Sequence, residues 1–171
     1  MKKNKLIRLR RELTINNIDG YINPKNDEFF GEYVNPRKER LKYLTGFSGS
    51  AGQSLVLKKQ AFLFVDGRYT LQAKKEIKNG FKAIEISKTK PSKILRKNKK
   101  KLIIGFDSKL YTRSILTNLF ASKNVKLIPI KKNLIDKIWS NKPKPKSNKF
   151  FVLKTRYVGQ SYEHKINLIC N

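Results

Sequence analysis

The sequence predicts an α/β domain built on one mixed, twisted β-sheet that is flanked by helices. Short apolar segments typical of strands alternate along the chain with segments whose apolar residues recur at helical spacing. Two adjacent strand segments, QSLVLK (53–58) and AFLFV (61–65), are separated only by Lys59 and Gln60. This arrangement indicates a hairpin and argues against an all-parallel sheet. The length of 171 residues suits a single domain with a substantial core.

The chain before the hairpin is predicted as helix, strand, loop and helix. The first helix is marked by apolar residues at helical spacing, namely Leu6, Leu9 and Leu13, with Ile7 and Ile18 as further members. A short strand, YIN (21–23), and a loop across residues 24–36 follow. Pro36 suits the first turn of a second helix, because a helix needs no hydrogen bond from its first N–H groups.

The chain after the hairpin is predicted to alternate between helices and strands. The expected elements are a helix from Arg68, strand FKAIEIS (81–87), helix PSKILRKN (91–98), strand KLIIGFD (101–107), helix TRSILTNLFAS (112–122), strand VKLIPI (125–130) and helix NLIDKIW (133–139). The Pro/Lys segment KPKPK (142–146) is predicted as an extended linker, and a further helix is expected within residues 159–170. We therefore assign residues 1–140 to one domain and residues 141–171 to a linker and the start of a following domain.

The net charge of +28 has two interpretations. Clustered basic residues are typical of proteins that bind nucleic acid or other polyanions. Lysines are spread over every segment here, however, and only nine of the 40 basic residues are arginines, whose planar fork suits specific phosphate recognition. A free-standing polyanion-binding module is therefore the alternative prediction, and weak, salt-sensitive binding to polyanions is expected in either case.

Residue types that support catalysis or metal binding are scarce. His164 is the one histidine and Cys170 the one cysteine, and both follow the linker. Such a pair does not provide the clustered ligands of a zinc site, and we expect no catalytic residue and no metal ligand in the chain. The basic N-terminus lacks the apolar core of a secretory signal, and no segment is apolar enough to span a membrane. We expect a cytoplasmic protein without a membrane partner.

The segment TGFSGSAG (45–52) raises the possibility of a phosphate-binding loop. Its glycines are evenly spaced by three, and Gln53 and Ser54 follow where a P-loop has Lys and Ser or Thr. The segment also joins a helix to a strand, the reverse of a dinucleotide-binding turn.

A second polar segment, FVDGRYTLQA (64–73), ends a strand at Asp66, which is expected to cap the next helix. Arg68 opposes the dipole of that helix unless a carboxylate, such as that of Asp66, pairs with it.

These segments together resemble the N-terminal domain of Xaa-Pro aminopeptidase, of the creatinase N-terminal type. The resemblance rests on the block GEYVNPRKERLKYLTGFSGSAG (31–52) and on DGRYTLQA (66–73). Further matches are IGFDSKLYT (104–112), NLIDKIWSNKPKP (133–145) and YVGQSYEHKI (157–166), which run in the family's order. Ser108 and Lys142 depart from the family pattern, which has Pro and Arg at these positions.

The resemblance implies a non-catalytic domain that serves assembly and access to an active site elsewhere in a larger enzyme. The parent family removes N-terminal residues that precede proline, and its catalytic domain holds two divalent metal ions, usually manganese. The remaining domains of the aminopeptidase and a second subunit are the implied partners. We expect the TGFSGSAG and DGRY segments to form an inter-domain or substrate-channel surface, whose candidate residues are Arg40, Ser48, Ser50, Asp66, Arg68 and Tyr69.

Overall fold

A computed structural model describes residues 5–31, 33–78, 80–145 and 149–171. Glu32 of the first family motif and Lys146 at the end of the Pro/Lys segment lie outside these ranges. The strands are β1 (Gly20–Pro24), β2 (Gly52–Leu57), β3 (Ala61–Val65), β4 (Lys82–Glu85), β5 (Leu102–Phe106) and β6 (Val125–Pro129). The α-helices are α1 (Lys5–Ile15), α2 (Arg40–Thr45), α3 (Thr70–Glu76), α4 (Pro91–Arg96), α5 (Arg113–Phe120), α6 (Leu134–Ile138), α7 (Thr155–Val158) and α8 (Tyr162–Cys170).

The strands form one mixed sheet, which confirms the predicted fold class. Its order is β4-β3-β2-β1-β5-β6. Strand β2 runs antiparallel to β1 and β3, and the predicted hairpin is the β2–β3 pair. The pairs β1–β5, β3–β4 and β5–β6 are parallel. The carboxyl ends of all strands but β2 therefore meet at one edge of the sheet, which we call the carboxyl edge.

Each face of the sheet carries its own apolar core. Alternate residues of β3 show the division, since Leu63 packs on one face and Phe62 and Phe64 pack on the other. Helices α1, α2, α3 and α6 contribute to the first core, and α4 and α5 cover the second. Successive side chains of a strand point to opposite faces of the sheet, and the apolar residues of each helix recur on one side of it. Apolar side chains of strands and helices therefore pack against each other on both faces.

Two predicted helices begin differently from the expectation. The segment from Pro36 forms a 3₁₀ turn (Pro36–Lys38) before α2, and the segment after Asp66 forms a 3₁₀ turn (Gly67–Tyr69) before α3. A side chain explains each tight start, because Asn35 and Asp66 accept a hydrogen bond from the N–H group two residues later. Asp66 is therefore the predicted cap, but it caps a 3₁₀ turn.

Two isoleucines of the first segment do not join the helical stripe. Leu6, Leu9 and Leu13 are buried on α1 as predicted, but Ile7 is exposed and Ile18 is buried beyond the end of the helix. In the described ranges, no helix combines the length and the apolar character that crossing a bilayer requires.

Candidate inter-domain surface

The TGFSGSAG segment links α2 to β2 and lies against the end of α3. Gly46 ends α2 in a left-handed conformation with φ of 90°, and its N–H donates to the carbonyl of Lys42. A Cβ atom at Gly46 would lie 2.6 Å from the carbonyl oxygen of Glu76. Glycine is required there by both the backbone angle and the close approach of α3.

Gly49 permits a second close contact in the same loop. A Cβ atom at this position would lie 2.3 Å from Cζ of Phe47 and 2.9 Å from Cδ1 of Tyr69. The rings of Phe47 and Tyr69 meet edge to face, with centroids 5.9 Å apart. The loop is therefore a tight turn that packs close to the segment that begins at Arg68.

Ser48 binds the loop to α3 through a carboxylate. Its N–H donates to Oε2 of Glu76 at 2.7 Å, and its hydroxyl donates to Oε1 at 2.8 Å. Gln72 donates from Nε2 to both Ser48 Oγ and Glu76 Oε1, each at 3.0 Å. Slight burial would raise the pKa of Glu76, but these hydrogen bonds outweigh it and hold the pKa below its ordinary value. Glu76 therefore remains ionised, although sequence reasoning did not select it as a site residue.

Ser50 and the DGRY segment complete this polar cluster. The hydroxyl oxygens of Ser50 and Tyr69 lie 2.7 Å apart. Asp66 accepts hydrogen bonds from the N–H of Arg68 at 3.0 Å and from its Nε at 2.9 Å. These bonds from Arg68 lower the pKa of Asp66. The guanidinium group of Arg68 lies 5.7 Å from the centroid of the Tyr69 ring and remains exposed to solvent.

Five of the six candidate residues thus meet at one exposed junction between the loop and α3. We call this junction the serine–arginine surface, and its members are Ser48, Ser50, Asp66, Arg68 and Tyr69. Side-chain hydrogen bonds give it a defined shape, while Arg68 projects a charge that its exposed ion pair with Asp66 neutralises only partly. Such a surface can bind a complementary polar surface of another domain or a peptide.

The sixth candidate, Arg40, is buried instead of exposed. Its side chain is 5% exposed, and it binds both carboxylate oxygens of Asp136 and one oxygen of Glu28. Glu28 and Asp136 also accept bonds from Lys38 and Lys142. Sequence reasoning missed this network, because Arg40 and Asp136 are far apart in the chain. The available signals were acidic residues in two distant segments, Glu28 in the loop after β1 and Asp136 in the NLIDKIW motif.

Residues 149–171, which we call the tail, differ from the rest of the chain. The helices α7 and α8 bury none of their residues. His164 and Cys170 are both exposed on α8. Large apolar side chains of the tail that face solvent are Phe150, Phe151, Val152, Leu153, Tyr157, Val158, Tyr162, Ile166, Leu168 and Ile169. An apolar surface this extensive is typical of a segment that another protein surface covers.

The described part of the chain has no cluster of metal-ligating side chains. It contains no group of three or more His, Cys, Asp or Glu side chains that could hold a metal ion. The carboxylates that lie close to basic groups, such as Glu28 and Asp136, are already engaged in ion pairs.

The fold and the motifs define the class of protein. The family model of the creatinase/prolidase N-terminal domain matches residues 5–138, and the chain belongs to this family. Among the sequences it resembles, a probable Xaa-Pro aminopeptidase P of Coprinopsis cinerea is 33% identical over 175 residues, which cover 96% of this chain and 28% of that protein. Aminopeptidase P1 of Arabidopsis thaliana is 31% identical over 86% of this chain and 24% of its own length.

Solved structures show the same relationship. The X-prolyl aminopeptidase of Caenorhabditis elegans, a cytosolic enzyme with a di-nuclear active site, superposes with a TM-score of 0.75 at 26% identity and covers 96% of this chain. This chain matches 30% of that enzyme. The N-terminal domain of the cytoplasmic peptidase PepQ of Mycobacterium tuberculosis has the same fold, with a TM-score of 0.60 at 21% identity. The chain thus spans less than a third of the C. cinerea, A. thaliana and C. elegans aminopeptidases and corresponds to their N-terminal domain.

Proposed function

We propose that this chain is the non-catalytic N-terminal domain of a metal-dependent Xaa-Pro aminopeptidase, which removes N-terminal residues that precede proline. In this role the domain contributes to assembly of the enzyme and to the shape of the entrance to its active site. The proposal is supported by the family membership, by the aminopeptidases among its relatives and by the small fraction of their length that the chain spans.

The exposed tail is the observation that carries the proposal. Phe150, Phe151 and Ile169 are each more than 80% exposed, which is unfavourable for large apolar groups in water. A following domain would bury these side chains and thereby stabilise the tail. We therefore propose that residues 1–140 form the domain and that residues 141–171 form the linker and the beginning of the next domain.

The serine–arginine surface is proposed to contact another domain or to line the path of the substrate. Its hydrogen bonds keep the surface in one shape, so that little entropy is lost when a partner binds. Arg68 is the residue best placed to pair with a carboxylate of that partner, because its guanidinium group is largely exposed. We further propose that the complete enzyme is a homodimer.

The metal ions are proposed to lie in a catalytic domain outside these residues. Two divalent ions, of which manganese is our choice, would supply the hydrolytic chemistry there. The C. elegans relative, with its di-nuclear active site, supports this part of the proposal. The same relative is a cytosolic enzyme, which supports a cytoplasmic location. The net charge of +28 adds weak attraction to polyanions, which is separate from this role.

Substitution of Arg68 in a full-length enzyme that contains this chain tests the proposed surface. We expect Arg68→Ala to lower kcat/KM for an Xaa-Pro peptide about tenfold, as loss of one charged contact of about 1.4 kcal/mol would do, or to weaken the dimer equally. Arg113→Ala, which also removes an exposed arginine close to a helix start, is the matched control. If both variants retain full activity and assembly, the serine–arginine surface does not have this role.

The intact mass of the native product tests the larger proposal. We expect a species several times heavier than the 19.9 kDa of this chain, detected by denaturing gel and mass spectrometry. A native product of 19.9 kDa would contradict the proposal, because such a protein would lack the catalytic domain.

A further inference from the structure

A cavity of about 380 Å³ lies at the carboxyl edge of the sheet, apart from the serine–arginine surface. The residues that line it follow β1, β5 and β6 or belong to α2 and α6. They are Glu28, Arg40, Asp107, Lys109, Lys131, Lys132, Asn133, Asp136 and Lys137. The position is significant, because open α/β sheets bind ligands beyond the carboxyl ends of their strands. The volume suits a small molecule.

Arg40, one of the residues that line this cavity, has an unsatisfied donor atom. Its Nε and Nη2 atoms donate to Asp136 and Glu28, as described above. Its Nη1 atom is buried and has no hydrogen-bond partner among the described residues. A buried donor without a partner lowers stability, and does so more when the group is charged. Such a donor in a native protein therefore requires an explanation, of which a bound acceptor is one.

Other buried side chains besides that of Arg40 also have a polar atom without a hydrogen-bond partner. The buried side-chain atoms without a partner in the described residues belong to Tyr21, Asn23, Arg40 and Tyr111. All four residues lie on β1, at the start of α2 or just after β5. Unsatisfied polar groups are therefore concentrated near the carboxyl edge.

The charges around the cavity favour an anion. With Glu12, Lys38 and Lys142, which pair with lining residues, seven basic side chains face four carboxylates. The carboxylates of Glu28 and Asp136 are each bound by two of these basic groups. Asp107 accepts a hydrogen bond from Nδ2 of Asn133 at 3.0 Å. Lys109, Lys131 and Lys132 form no ion pair within the described residues and are free to bind a ligand.

From these observations we propose that the cavity is a binding site for one small oxyanion, of the phosphate or the carboxylate type. The oxyanion accepts a hydrogen bond from Nη1 of Arg40 and is surrounded by the ammonium groups of Lys109, Lys131 and Lys132. Charge-assisted hydrogen bonds to a guanidinium group suit both anion types. The site is distinct from non-specific attraction to polyanions, because it requires a buried arginine and binds one anion per chain.

Calorimetric titration with two probes tests the site. Inorganic phosphate and acetate are titrated separately into the protein at constant ionic strength, which is set with chloride. We expect one of them to bind at one site per chain, and the tighter of the two identifies the anion type. Absence of binding by both probes, or binding at many equivalent sites, would overturn the proposal.

Paired lysine variants locate the binding site. The double variant Lys131→Met and Lys132→Met is expected to weaken binding at least about tenfold, because it removes two charged groups that bind the anion. The matched control is Lys99→Met with Lys100→Met, an exposed lysine pair in the segment that precedes β5. Affinity should be retained in the control, and equal weakening in both double variants would show that net charge alone is responsible. Since all four lysines are exposed, circular dichroism is expected to show that both variants fold.

Discussion

Nη2 of Arg40 lies 2.9 Å from Oδ2 of Asp136, and Nε of the same arginine lies 3.0 Å from Oδ1, although the two residues are 96 positions apart. This bidentate pair joins α2 to α6. Glu28 binds the same guanidinium group at 2.9 Å and adds the loop after β1. Burial would raise the pKa of Asp136, but the bonds from Arg40 and Lys142 outweigh it and lower the pKa. One arginine therefore connects three segments that are distant in the chain.

Replacing Arg40 should destabilise the fold strongly. Arg40→Met retains much of the side-chain volume but leaves Glu28 and Asp136 without their buried partner. We expect the free energy of unfolding to fall by about 3 kcal/mol, measured by urea denaturation. The exposed Arg113→Met should change it by less than about 0.5 kcal/mol. Equal stability of the two variants would show that the network contributes nothing to the fold.

Glu28 should make stability depend on pH in the acid range. Partial burial would raise its pKa, but hydrogen bonds from Lys38 and Arg40 outweigh burial and lower the pKa to about 2, from an ordinary value of 4.5. Because the folded pKa is the lower one, this stabilisation is complete above about pH 4.5 and is lost as the pH falls towards 2. The full shift corresponds to about 3–4 kcal/mol, because a tenfold change in an acid dissociation constant corresponds to about 1.4 kcal/mol, and solvent screening of this partly exposed carboxylate reduces the contribution.

The variant Glu28→Gln tests this pH dependence of stability. Urea denaturation at a series of pH values between 2 and 6 should show a smaller loss of stability on acidification than in the unmodified protein. An unchanged pH dependence would mean that other carboxylates account for it.

Gly46 should be intolerant of a side chain. Gly46→Ala places a Cβ atom against the carbonyl oxygen of Glu76 and forces a left-handed residue, so we expect a loss of about 1–3 kcal/mol in stability. Gly31→Ala is the matched control, because its nearest contact would be an ordinary 3.7 Å. Thermal unfolding should separate the two variants, and similar melting temperatures would contradict the tight contact between the loop and α3.

Removing the tail should leave the domain stable. Since α7 and α8 bury no residue, truncation after Pro145 is expected to change the free energy of unfolding by less than about 0.5 kcal/mol. Ile135→Ala, in a residue that is fully buried on α6, should instead cost about 2–5 kcal/mol. A truncated chain that fails to fold would contradict the proposed boundary between residues 140 and 141.

The strands and most helices were predictable because their signals are local. The apolar segments QSLVLK and AFLFV and the short connection between them indicated the hairpin, and the hairpin within an alternating pattern of strands and helices indicated a mixed sheet. The cap at Asp66 was also predictable, because its acceptor and the N–H of Arg68 are two residues apart. The 3₁₀ turns before α2 and α3 were not, since helical periodicity does not distinguish the two helix types over three residues. The short helix α7 was likewise not anticipated.

The candidate site shows the same difference between local and long-range signals. Ser48, Ser50 and Arg68 were selected from family motifs that are continuous in the sequence, and the structure brings the loop and the start of α3 together. The placement of Arg40 and the cavity beside it depended on contacts between segments up to 96 residues apart. Arg40 becomes buried and gains its ion-pair partners only when the sheet brings the carboxyl ends of its strands together. The sequence shows the charge of a residue, but it does not specify which distant group will neutralise that charge. Local residue patterns therefore established the fold and the family, whereas packing of the assembled sheet buried Arg40 and positioned it beside the proposed oxyanion site.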